Sequence, residues 1–225
     1  MPKSNHAQLS TDSSDDINDY RSAFRKRVFT LLKWGYERLD AAVYKSSEEE
    51  DITGDLVKEI KEVLQDRNYP RWVGKYTVHE EPRVTSPIRK GKYRKRLDIE
   101  FERVCHGSRP CYPFEAKRLC AKTHTISKYS GSSGMGEFLA GNYAADKDEA
   151  GMLGYIQSDT PEIWAEKAEN KFRTDAAKIQ MRRGGDWIRV NIINKLDCTY
   201  RSAHNRISVG KPIILYHLFL DFCTN

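Results

Sequence analysis

The residues whose types and spacing could do chemistry lie between Asp98 and Lys117. In Arg96-Leu97-Asp98-Ile99-Glu100-Phe101-Glu102 apolar and acidic residues alternate. An extended chain there turns Leu97, Ile99 and Phe101 to one face and three carboxylates to the other. In Tyr112-Pro113-Phe114-Glu115-Ala116-Lys117 the same period puts Glu115 and Lys117 on one face, about 6–7 Å apart at the usual strand rise. The connection around His106 to Pro110 is short enough for an antiparallel hairpin, which would set Asp98 beside Glu115. Two carboxylates that close repel unless something neutralises them, and a hard divalent cation with oxygen ligands does so. Mg²⁺ or Mn²⁺ suits the pair, since magnesium takes one or two protein carboxylates and keeps waters that can serve as nucleophile. Lys117 would orient such a water or stabilise charge building on a phosphate. The chemistry expected is in-line hydrolysis of a phosphodiester. An acid-x-Lys on a strand also occurs on ordinary solvated sheet faces, where it forms weak surface ion pairs.

These residues need a scaffold, and the surrounding pattern supplies one. Residues 1–19, rich in Ser, Asp and Asn, read as a flexible tail, and 20–225 as a single domain. From Tyr20 to about Tyr44 apolar residues fall at helical spacing (Phe24, Val28, Leu31, Leu32), which predicts an N-terminal helical arm. The acidic run Glu48 to Asp51 opens a second helix, Ile52 to Gln65. Strands are expected at Trp72–His79, Arg96–Val104 and Tyr112–Leu119, forming a meander. Ala150–Gln157 is a further short segment, Pro161–Met181 reads as a helix, and Ile188–Ile193 and Ile213–Phe222 as closing strands. The class is α/β, a mixed central sheet flanked by helices.

Helix, meander and motif arrive in an order that resembles the PD-(D/E)XK, or restriction-endonuclease-like, nucleases. The resemblance rests on Asp98 followed seventeen positions later by Glu115-Ala116-Lys117, and spans about residues 50–157. Arg96-Leu97 stands where the family often has a proline before the Asp. The resemblance implies a restriction-endonuclease-like fold in which Asp98, Glu115 and the backbone carbonyl of Ala116 bind the metal and Lys117 is catalytic. It also implies an acid from the preceding helix, for which Glu50, Asp51 and Asp55 are candidates. Tyr129, Gly136-Glu137-Phe138, Gly141-Asn142-Tyr143 and Gly151-Met152-Leu153-Gly154-Tyr155 are similar to a segment of nucleases from bacterial defence systems. The expectation is a DNA endonuclease of anti-phage defence. With no obvious target-recognition domain, regulation by a partner protein or by self-association is expected. The alternative is a nucleic-acid-binding or interaction subunit that keeps the fold without catalysis.

Composition agrees with an anionic partner. The chain of 225 residues carries a formal net charge of +6, is 31% charged and 39% hydrophobic, and has a pI near 9.0. Arg83 and then Arg89, Lys90, Lys92, Arg94, Lys95 and Arg96 form a basic stretch just ahead of Asp98, placed to contact phosphates. No run of about 18 apolar residues could span a bilayer and no apolar signal core opens the chain, so the expected address is cytoplasmic, without membrane. Five cysteines form no Cys-x-x-Cys pair; Cys105, Cys111, Cys120 and His124 have no usual zinc-ligand spacing. Gly-x-Ser-x-Gly and a complete dinucleotide fingerprint are absent, which removes serine-hydrolase and Rossmann readings. Arg201, His204 and Arg206 read as loop residues, and His217 as a satisfied core histidine.

Overall fold

The computed structural model describes residues 12–84, 91–105 and 109–223. Helix α1, Asp12–Tyr36, begins inside the segment expected to be a tail. Its apolar stripe, Phe24, Val28, Leu31 and Leu32, is buried in one core with Ile52, Leu56, Ile60 and Val63 of helix α2, Glu49–Gln65, and Phe24 lies against Tyr76 and Tyr112. Gly35 permits the crossing: a Cβ there would stand 2.4 Å from Cγ1 of Ile60.

Seven strands follow: β1 Tyr76–Glu80, β2 Ile99–Arg103, β3 Cys111–Leu119, β4 Glu149–Ile156, β5 Ile188–Arg189, β6 Thr199–His204 and β7 Ile213–Asp221. They form one mixed sheet in the order β1-β2-β3-β4-β7-β6-β5. β3, β4 and β7 are parallel neighbours, and the outer pairings are antiparallel. β4 is buried along nearly its whole length, as a central parallel strand covered on both faces must be. One face packs on α1 and α2; the other packs on three shorter helices, α3 Ile126–Tyr129, α4 Met135–Leu139 and α5 Pro161–Thr174. The protein is thus α/β, a seven-stranded mixed sheet flanked by helices with a long N-terminal helix. No helix among the described residues is long and apolar enough to cross a membrane.

Several boundaries differ from the sequence pattern. α5 stops at Thr174, short of Met181, and β5 keeps two residues of the expected Ile188–Ile193. β6 occupies what reads as a loop: Arg201 and His204 are strand residues. Strict alternation puts Leu97 with Ile99 and Phe101, yet Leu97 joins the opposite core. Regular β2 begins only at Ile99, and the break in its ladder with β1 falls at Glu81, where φ is +45° opposite Asp98.

Arg206 lies in the connection after β6, as the pattern places it, yet it is buried and donates to the carbonyls of Ala144, Lys147, Lys211 and Pro212. His204 and His217 belong to a buried chain. Tyr129 Oη meets His217 Nδ1 at 2.9 Å, Ser202 Oγ lies 2.8 Å from His217 Nε2 and 2.7 Å from His204 Nε2, and His204 Nδ1 reaches Ile179 O at 2.8 Å. Every link is satisfied when each group donates toward Ile179.

Candidate active site

The hairpin of β2 and β3 pairs Ile99 with Phe114 and Glu100 with Pro113, then separates. Beyond Ile99 the amide of Ala116 donates to a side chain, Oδ2 of Asp98, at 2.6 Å. Asp98 therefore stands just ahead of β2, held across the opening fork against the middle of Glu115-Ala116-Lys117. The residue pattern predicts that Asp98 and Glu115 meet, and the fork brings them together.

Lys117 lies among the acids. Its Nζ is 2.7 Å from Oε1 of Glu49, 2.6 Å from the carbonyl of Ala116, 3.0 Å from Oε1 of Glu115 and 4.0 Å from Oδ2 of Asp98. The first three contacts use all three ammonium protons. The oxygens of Glu115, Ala116 and Asp98, the expected cation ligands, thus converge on one point, and a positive charge of the chain's own occupies it.

The helix acid that meets Lys117 is Glu49, not Glu50, Asp51 or Asp55. Its Oε1 takes Lys117 and its Oε2 accepts the amide of Arg118 at 2.9 Å. Asp55 bonds the hydroxyl of Tyr44 instead, Asp51 is exposed, and Glu50 is exposed but close enough to Asp98 to disfavour its charge. The displacement has a simple origin. α2 begins at Glu49, three residues before the expected start, and its N-terminus is docked on the ends of β3 and β4. Arg118 donates to the carbonyl of Ser47 and pairs with Glu48. Buried Gln157, directly after β4, donates to the carbonyls of Tyr44 and Ser47, and Thr53 shares a hydrogen bond with Tyr155. Neither Gln157 nor Arg118 carries a local signal, because their partners, the carbonyls of Tyr44 and Ser47 and the carboxylate of Glu48, are brought by tertiary packing.

Burial dominates the electrostatics. It lifts Asp98 from 3.8 to about 6 against the pull of Lys117 and the Ala116 amide, and Glu49 and Glu50 add to the rise. Glu115, 4% exposed, is pushed up by burial and by Asp98, with Lys117 opposing. Burial works against the charge of Lys117, but Glu115, Asp98 and Glu49 outweigh it and hold the ammonium protonated. Tyr143 closes the rim, donating to the carbonyl of Arg96 at 2.6 Å; burial and nearby Glu115, Glu137 and Asp98 raise its phenol far above the ordinary value.

Oε2 of Glu115 is buried and has no hydrogen-bond partner. A carboxylate oxygen in that state is costly unless a proton or cation meets it, so the donor set, all oxygen and net acidic, fits a hard divalent ion. No group of three or more His, Cys, Asp and Glu side chains among the described residues is already arranged as a metal cage. The convergent oxygens are three carboxylates, of Glu49, Asp98 and Glu115, and the Ala116 carbonyl, gathered on an ammonium.

The basic stretch is only partly free. Lys95 pairs with buried Glu137 of α4, and Arg96 with Glu81. Lys92 is exposed beside Tyr93, itself 73% exposed; Arg94 is half-buried, while Arg89 and Lys90 lie outside the described residues. No protein-family model, curated protein or solved structure matches the chain.

Proposed function

We propose that this chain is a divalent-metal-dependent endonuclease of DNA with a restriction-endonuclease-like core. The observation that carries the reading is the meeting of Asp98, Glu115 and the Ala116 carbonyl on one cationic point, with the second oxygen of Glu115 buried and unpartnered. Those three groups would hold Mg²⁺ or Mn²⁺. When bound, the ion supplies Lewis acidity to a phosphodiester and a nucleophilic water at neutral pH.

The chain's own residues account for the remainder. Asp98 is oriented by the Ala116 amide, and Glu49 keeps the stem of Lys117 aimed along the fork. The ammonium would be freed from Glu115 and the Ala116 carbonyl by a cation held by those three oxygens, and Glu49 would still hold it. It can then donate to an attacking water or to the phosphate oxygen on which charge builds. Exposed Lys92 and half-exposed Arg96 lie along the approach to Asp98 and would meet phosphates of the strand. A role in anti-phage defence, under control of a protein partner or of self-association, is part of the same proposal.

The test is cleavage of supercoiled plasmid with Mg²⁺ or Mn²⁺ by the wild-type chain, Lys117→Ala and Glu49→Gln. Metal-dependent nicking that Lys117→Ala abolishes and Glu49→Gln weakens is expected. DNA binding in EDTA with no cutting under any metal would replace the enzyme by a binding subunit.

A further inference from the structure

A cavity of about 500 Å³ opens beside the proposed site on the same face of the hairpin. Its floor is Glu100, Cys111 and Pro113. Glu100 and Pro113 are cross-strand partners, and Pro113 lies two residues before Glu115 on one face of β3, about 6–7 Å away at strand rise. The cavity therefore begins one side chain from the acids.

Its far wall is the loop from Gly141 to Lys147, and this wall is built in advance. Arg206, 1% exposed, donates at 2.7 Å to the carbonyls of both Ala144 and Lys147, and at 2.9 Å to that of Lys211, tying the loop to the turn before β7. The volume falls within the range of small-molecule sites. Val84, Leu97 and Pro113 offer apolar surface to a flat ring, Glu100 and Asn142 offer hydrogen-bonding groups to its edge, and exposed Arg83 stands among the lining residues as a cation for a phosphate.

We infer that this cavity receives one nucleotide of the substrate strand, its base unstacked, next to the phosphate held at Asp98, Glu115 and Lys117. The inference rests on the nuclease reading and narrows its substrate to DNA with unpaired bases, such as single strands, flaps or frayed ends. A paired base must leave its stack to enter, at a cost that an unpaired base does not bear.

Calorimetric titration in the presence of Mg²⁺ tests this with the four deoxynucleoside 5′-monophosphates, which carry no diester to cut, and with deoxyribose 5-phosphate, which lacks the base. At least one nucleotide should bind about tenfold or more tighter than the sugar phosphate, the scale of one stacked base. Ala145→Trp, at an exposed position of the lining, should weaken the nucleotide by a similar factor and leave the sugar phosphate unchanged. Equal binding of nucleotide and sugar phosphate by the wild type, or no binding of either, overturns the inference whatever the variant does. Nucleotide binding untouched by Ala145→Trp places the base elsewhere and also overturns it. A chain that cuts plasmid yet ignores the base keeps the nuclease and loses the pocket; one that binds nucleotides yet cuts nothing does the reverse.

Discussion

Replacing Asp98 by Asn should make the fold more stable in alkaline solution while removing a ligand of the proposed cation site. Unfolded, Asp98 ionises near 3.9; folded, burial lifts it to about 6. Between those values the unfolded chain binds fewer protons at Asp98 than the folded one, so the contribution of this group falls as pH rises from about 4 to about 6 and stays low above. The difference between 3.8 and about 6 corresponds to about 3 kcal/mol at pH 8. That figure already includes the attraction of Lys117 and the Ala116 amide, because both act on the charged form. Asn has the shape of the neutral acid and can accept the same amide, so it should escape the loss. Neutralising position 98 also relieves buried Glu115, which acts in the same direction. Urea unfolding in EDTA at pH 4, 6 and 8 should show the two proteins close at pH 4 and Asp98→Asn ahead by about 3 kcal/mol at pH 8. In a thermal scan that is about 6–12 °C for a domain of this size. An advantage that does not grow with pH, or a loss at pH 8, would refute the reasoning.

Other outcomes follow from the same contacts. Lys117→Met strands three carboxylates around a neutral stem and should cost about 3–5 kcal/mol at pH 8 in EDTA, read by urea unfolding. Mg²⁺ should raise the melting temperature of the wild type by binding only the folded chain, whereas Glu115→Gln should respond little. Gly151→Ala would place a Cβ 2.0 Å from the ring of Phe114 and should cost about 1–3 kcal/mol or more through overpacking, with no change in pH dependence. Burial lowers His204 to about 4 and His217 well below its ordinary value, so both are neutral when folded. Unfolded they take protons near 6.5, so stability should fall as pH drops from about 6.5 toward 4. Unfolding measured in a background carrying both Asp98→Asn and Glu115→Gln isolates this, because the opposite trends of the two raised carboxyls are gone.

What can be read from the residues is local. Period-two alternation around Phe101 and Phe114 is a property of the chain itself, so β2, β3 and the common face of Glu115 and Lys117 are legible in the residue order alone. The apolar stripe of α1 is legible for the same reason, and the continuous apolar run of β7 announces a strand buried on both sides. β6 is not, because Thr199–His204 carries polar residues whose burial is satisfied only by His217, Ile179 and Leu196 from elsewhere.

Glu49 shows the limit most clearly. Four consecutive acids, Glu48 to Asp51, open the α2 region, and no periodicity says which one meets Lys117. That choice belongs to the crossing of α2 over the sheet, set by Gln157, Arg118 and Tyr155, residues about 70 to 110 positions away. The same holds for Arg206, whose buried charge is tolerable only because carbonyls of the distant Ala144–Lys147 loop join those of nearby Lys211 and Pro212 around it. By itself the sequence determined which side chains share a strand face, since that depends on backbone geometry over a few residues. Tertiary structure alone decided which charges from outside the hairpin join them, Glu49 above all, because Coulomb energy and desolvation depend on distances between segments that only the folded sheet brings together.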